Sequence, residues 1–286
     1  MNNQHNQQLF LLLLATLFIS TSGALGKYID MPIPVIIWWR SIIASVLLYA
    51  FCRYKKISLK ITSKKEIALF IISALFLATH WITYFYALKL SNVAIGMLSL
   101  FVYPILTAFL EPLFIKVKFD PIYILLGVMV LIGIYILAPE FSLESTHVKG
   151  ILFGLASALF YALRNIISKQ LVTNNNGTSI MLFQISIISI VLLPVMFLMD
   201  TSGISTQFPY VVILAVVTTA VGHTMLVNSL KHFTVSTASI ISSTQPILGI
   251  VIAFFFLNEI PTWNTFFGGL IILSTVVIES IRSRKV

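Results

Sequence analysis

The chain is 286 residues long, 58% hydrophobic and only 9% charged, with a mean hydropathy of +1.01 and a formal net charge of +9. A globular domain of that composition could not keep its surface in water, so a bilayer is its natural solvent. The basic residues sit in short loops between apolar runs, which argues against a nucleic-acid surface, and one cysteine, Cys52, excludes a disulfide framework or a thiolate metal cluster.

Ten apolar runs follow one another, each near the ~20 residues that ~30 Å of hydrocarbon requires. They are expected at residues 9–29, 34–52, 66–88, 93–115, 121–138, 150–169, 179–199, 209–230, 235–257 and 263–281. Residues 1–8 carry no Lys or Arg and no small-residue cleavage site follows, so the first run reads as a retained helix rather than a signal peptide. The runs are continuously apolar instead of alternating, which predicts helices and not a barrel. The longest connection, 53–65, leaves no room for a soluble domain.

The sequence also echoes itself after 142 residues. Leu88, Lys89, Val93, Pro104, Ile105, Leu106 and Gly127 recur as Leu230, Lys231, Val235, Pro246, Ile247, Leu248 and Gly269, and Phe18 and Lys27 as Phe160 and Lys169. A repeat unit of five spans is odd-numbered, so its second copy must enter the membrane upside down. Loop charges agree: 53–65 holds Arg53, Lys55, Lys56, Lys60, Lys64 and Lys65, whereas its counterpart 200–208 holds no basic residue. Likewise Lys116 and Lys118 follow the fourth span, where the second half offers the acid Glu259. Of the 18 Lys and Arg, placing 13 in the cytoplasm leaves three outside (Lys27, Lys89, Lys149) and two within spans (Arg40, Arg164). The expectation is an all-α polytopic protein of the inner (cytoplasmic) membrane, with both termini cytoplasmic. Its ten transmembrane helices form two inverted five-helix repeats, residues 1–146 and 147–286.

Ionisable and polar residues inside the spans are the candidate site, because each is costly in hydrocarbon. Arg40 lies about 9 Å along its span, where it can anchor at the interface or meet a carboxylate or phosphate, with Trp38 and Trp39 beside it. Glu111, before the kink-prone Pro112, either touches water or holds a cation or coupling proton. Arg164, five residues from Lys169, is expected to snorkel. His80 and His223 are deeper, at adjacent repeat positions, and imidazole is the group that changes charge near neutral pH. Substrate-lining candidates are therefore Trp39, Arg40, His80, Trp81, Tyr84, Glu111, Tyr161, Arg164, His223, Asn228 and Gln245. Pro104 and Pro246 predict matched bends, and Gly127, Gly133, Gly268 and Gly269 predict close packing of the fifth and tenth helices, within one chain or a homodimer. No H-E-x-x-H, Walker or placed G-x-G-x-x-G pattern supports an enzyme, a resident metal or a cofactor.

Ten spans in five-span halves, the run from Ala87 to Lys89 into Ser91, Asn92 and Val93, and Pro246, Asn258, Glu259, Pro261, Gly268 and Gly269 in the second half resemble the EamA branch of the drug/metabolite transporter superfamily. The resemblance covers almost the whole chain. It departs from the pattern in the first half, where the position equivalent to Glu259 is Val117. It implies an inner-membrane carrier without ATP hydrolysis that moves small metabolites such as amino acids, often outward. In such a carrier the central cavity is lined by both repeats and the fifth and tenth helices are peripheral.

Overall fold

The computed structural model describes residues 2–114, 120–137, 142 and 144–283. Among the described residues, eight helices are long and apolar enough to cross a membrane, and two shorter apolar helices complete the expected series. Spans 1 to 10 are His5–Tyr28, Ile33–Tyr54, Lys64–Leu90, Val93–Phe114, Ile122–Leu137, Thr146–Leu171, Gly177–Leu198, Ile204–Ser229, Val235–Leu257 and Trp263–Ile278. Span 3 starts where Ser63 accepts the Glu66 amide. Span 4 starts where Asn92 accepts the Ile95 amide, and span 9 where Thr234 accepts the Thr237 amide. These side chains satisfy helix-terminal donors that would otherwise lack a partner. Asn92 and Thr234 stand 142 residues apart.

The bends at Pro104 and Pro246 are present, each set just before the proline. Helix Val93–Leu100 gives way to Tyr103–Phe114, and Val235–Ser242 to Gln245–Leu257. Residues Tyr103 and Gln245, the first after each break, again correspond. Span 8 holds a feature that periodicity does not announce: Leu214–His223 is wound as a π-helix. Its wider turn lets the Thr219 hydroxyl donate to the Leu214 carbonyl, five residues back, at 3.1 Å.

Packing exchanges the two halves. Span 3 runs antiparallel to span 6, pairing Tyr86 with Phe153, His80 with Tyr161 and Glu66 with Asn175. Span 1 runs antiparallel to span 8, pairing Tyr28 with Tyr210, Thr21 with Thr218 and Ile19 with Gly222. The 142-residue offset maps the His80–Tyr161 pair onto Gly222 and Ile19, so one half's third span always meets the other half's first.

The antiparallel order puts two matched clusters at opposite ends of the bundle. At one end, Lys27 Nζ donates to the carbonyls of Leu88 (2.9 Å) and Ser91 (2.7 Å). At the other, Lys169 Nζ donates to those of Leu230 (2.7 Å) and Phe233 (2.9 Å), the same positions shifted by 142. The opposite half then adds an acid to each cluster. Glu259 accepts the Val93 amide at 2.8 Å near Lys27, and Glu111 accepts the Ser236 hydroxyl near Lys169. Linear alignment equates Glu259 with Val117, which lies with Lys116 and Lys118 outside the described residues. In space the counterpart of Glu259 is Glu111. The offset misses it because Glu111 projects from within a helix, whereas Glu259 follows Asn258, a left-handed cap with φ 54°.

Spans 5 and 10 pack on each other. A methyl group on Gly268 would stand 2.8 Å from the Gly133 carbonyl oxygen and 3.0 Å from the Leu137 amide, both backbone atoms. These glycines therefore serve a contact within the chain. Gly268→Leu is expected to destabilise the protein by about 1–3 kcal/mol through overpacking, read as a lowered midpoint of thermal unfolding in detergent.

Candidate functional site

The middle of the bundle holds a small cavity of about 10 Å³, the room of roughly one water. Its walls are Ile19, Ser22, Arg40, His80, Trp81, Tyr84, Leu100, Tyr161, His223 and Gln245, drawn from both halves. Seven of the expected residues thus converge, although they are scattered over spans 2, 3, 6, 8 and 9. The lining contains no acid among the described residues.

Arg40 is fully buried and does not snorkel. Its Nε and Nη2 donate to the Thr219 hydroxyl at 3.0 and 2.8 Å, and its guanidinium lies 3.9 Å from the centre of the Trp81 ring. The π-wound segment of span 8 supplies that hydroxyl, so the unusual helix and the buried cation belong to one arrangement. Nη1 has no partner among the described residues.

Arg164 is also fully buried, which corrects the expectation that it snorkels. The loop at Asn174 is only a few residues away, but a neutral socket competes with it. Gln184 Oε1 accepts from Nε and Nη2 at 3.2 and 2.7 Å, and Asn165 Oδ1 accepts from Nη1 at 3.0 Å. Gln184 in turn donates to Ser73 and Ser168, tying spans 3, 6 and 7. Both guanidiniums are bonded to neutral oxygens. An unpaired arginine at the centre of a spanning helix costs about 2.5–3.5 kcal/mol on insertion scales, so such sockets favour retention of the fold.

An aromatic stack joins the cations. The His80 ring stacks on Tyr161 at 4.3 Å, Trp81 meets His223 edge-on at 5.4 Å, and Tyr103 meets Tyr161 at 4.8 Å. His80 Nδ1 is 2.7 Å from Ser157 Oγ, whose hydroxyl donates to the His80 carbonyl, so Nδ1 is the donor in that contact. His223 Nδ1 and Gln245 Nε2 have no partner among the described residues.

Four expected residues do not reach the cavity wall. Trp39 packs against Trp38, and Asn228 accepts the Gly177 amide at the start of span 7. Glu111 belongs to the cluster at the Lys169 end, and Arg164 stands behind Tyr161 in its own socket. Among the described residues, no three His, Cys, Asp or Glu gather to hold a metal.

The model of the EamA-like transporter family matches residues 7–138 and 148–280. The chain belongs to that family. It is a multi-pass membrane protein and a transporter of small molecules within the drug/metabolite transporter superfamily. The pseudopaline exporter CntI of Pseudomonas aeruginosa is 26% identical over 282 residues, covering 96% of each protein. An S-adenosylmethionine uptake transporter of Rickettsia felis is 31% identical over 119 residues, 42% of this chain and 40% of that one. A crystal structure only 16% identical superposes with a TM-score of 0.74 over 98% of each chain, which establishes the shared fold. One relative exports and another imports, so the transporter's family leaves direction and cargo to its site.

Sequence reasoning passed over Thr219, Gln184 and Ser157. Gln184 was findable as the one amide in an apolar span; Thr219 and Ser157 were not, because hydroxyls are frequent in these helices and only their partners distinguish them. Thr219→Val removes the only hydrogen-bond partner that a buried guanidinium has among the described residues. The transporter variant is expected to lose about 1–3 kcal/mol of stability, with Thr219→Ser close to wild type, measured by thermal unfolding in detergent.

Proposed function

We propose that the chain is a secondary transporter that carries small metabolites, amino acids or related compounds, outward across the cytoplasmic membrane by alternating access. The single observation that carries this reading is the pair of corresponding clusters at opposite ends of the bundle. Each is built from a lysine that holds a turn in its own half and an acid contributed by the other half. Breaking the Glu259–Val93 contact frees one end, and breaking the Glu111–Ser236 contact frees the other, while the central residues lie between them. Two five-helix units, residues 1–146 and 147–286, that rock about this centre would expose it to each side in turn. The basic loop 53–65 supports a cytoplasmic Lys169 end and cytoplasmic termini. His223, whose Nδ1 has no partner among the described residues, is the first candidate to carry a coupling proton, ahead of His80, whose ring Ser157 holds in place.

Cysteine pairs in a Cys52→Ala background test the mechanism. Val93→Cys with Glu259→Cys bridges one end, and Glu111→Cys with Ser236→Cys the other. Joining either pair with a reducible bifunctional thiol reagent is expected to abolish solute counterflow in proteoliposomes, and dithiothreitol to restore it. Equal flux in the bridged and unbridged forms would refute alternating access. For the proton, His223→Ala is expected to shift the pH profile of flux more than His80→Ala, and unchanged profiles in both would remove the coupling role.

A further inference from the structure

We propose that the transported solute presents an anionic pair of oxygens, a carboxylate or a phosphate, to Arg40 in the central cavity, with Gln245 and His223 completing the donor set. The inference rests on the transporter reading and adds the chemistry of the cargo.

Three polar nitrogens at this cavity have no partner among the described residues: Arg40 Nη1, His223 Nδ1 and Gln245 Nε2. They come from spans 2, 8 and 9, so both halves of the chain contribute. Buried polar groups are normally bonded, and a buried cation with a free N–H is the costliest exception. The Arg40 fork is held in place on one edge by Thr219 and on one face by Trp81, which leaves the edge bearing Nη1 for a ligand. A planar guanidinium fixed in this way matches paired oxygens of a carboxylate or phosphate, whose charge-assisted bonds are about twice as strong as neutral ones.

Charge points the same way. The lining holds no acid among the described residues, and the second guanidinium, Arg164, is also satisfied by neutral oxygens. A cationic solute would add to the two positive charges, and a neutral one would leave them uncompensated. An anion offsets them. The aromatic rings of Trp81, Tyr84 and Tyr161 then provide apolar area for the rest of the molecule. The cavity at about 10 Å³ is too small for such a solute, so these residues close on one another when the bundle is shut and separate to admit it.

The test uses purified full-length protein in detergent and thermal unfolding with paired probes. N-acetylated amino acids and mono- and dicarboxylates are compared with their carboxamides, and inorganic and sugar phosphates with the free sugars. At least one anion is expected to raise the unfolding midpoint while its neutral counterpart does not. Stabilisation confined to carboxylates or to phosphates identifies which group is carried. Arg40→Gln is expected to weaken the apparent affinity about tenfold or more, with Arg40→Lys intermediate because it keeps the charge and loses the fork. Gln245→Leu, which leaves the cation in place, is expected to weaken it less and decides the question if the arginine variants do not fold. The proposal is overturned if only neutral or cationic compounds stabilise the protein, if no anion does, or if Arg40→Gln responds like wild type. Flux of neutral compounds in proteoliposomes would remove this proposal and leave the transporter reading standing, whereas absence of flux for every probe would remove both.

Discussion

Two guanidinium groups buried at the middle of a membrane bundle are the constraint around which the rest of the structure is arranged. Hydrocarbon offers no water to either cation, so the protein must supply oxygens from its own helices. For Arg164 the supply is complete: Gln184 and Asn165 occupy the whole fork, and Gln184 passes the network on to Ser73 and Ser168. For Arg40 it is incomplete among the described residues, with Thr219 taking one edge and Trp81 one face. Within a few helical turns of each other, one buried cation is thus saturated and the other keeps Nη1 without a partner among the described residues.

Thr219 comes into reach through the π-winding of span 8. A wider turn costs regular hydrogen bonding, and such segments tend to lie at functional sites. Here the gain is a hydroxyl and an imidazole, Thr219 and His223, delivered from one span into the centre. The breaks ahead of Pro104 and Pro246 bring Tyr103 and Gln245 into the same central layer. Irregular backbone in spans 4, 8 and 9 is thus concentrated where the polar chemistry is, as expected where unpaired backbone groups can be tolerated only inside protein.

Pseudo-symmetry shapes the ends as it does the centre. Lys27 and Lys169 hold corresponding turns, and Glu259 and Glu111 reach across from the other half. Strict sequence correspondence holds for the lysines, whose targets are backbone carbonyls fixed by the helix ends. It fails for the acids, which reach their targets from a post-helical cap in one half and a helix interior in the other. The two halves share the contact at each end, while the position that provides the acid differs between them.

The sequence by itself determined the succession of spans and their inverted duplication, because hydropathy, repeat offset and loop charge are properties of consecutive residues. It also brought Arg40, His80, Trp81, Tyr84, Tyr161, His223 and Gln245 forward as a set, since polar and aromatic groups stand out in apolar runs. Only the tertiary structure decided which of them share a wall, that Arg164 faces inward to Gln184, and that Glu111 bonds Ser236 near one end of the bundle instead of lining the cavity. Those outcomes depend on the rotation of each helix about its axis and on partners as far apart as Arg40 and Thr219 or Glu111 and Ser236. Succession follows from counting along the chain; direction around a helix is set by the neighbours it packs against.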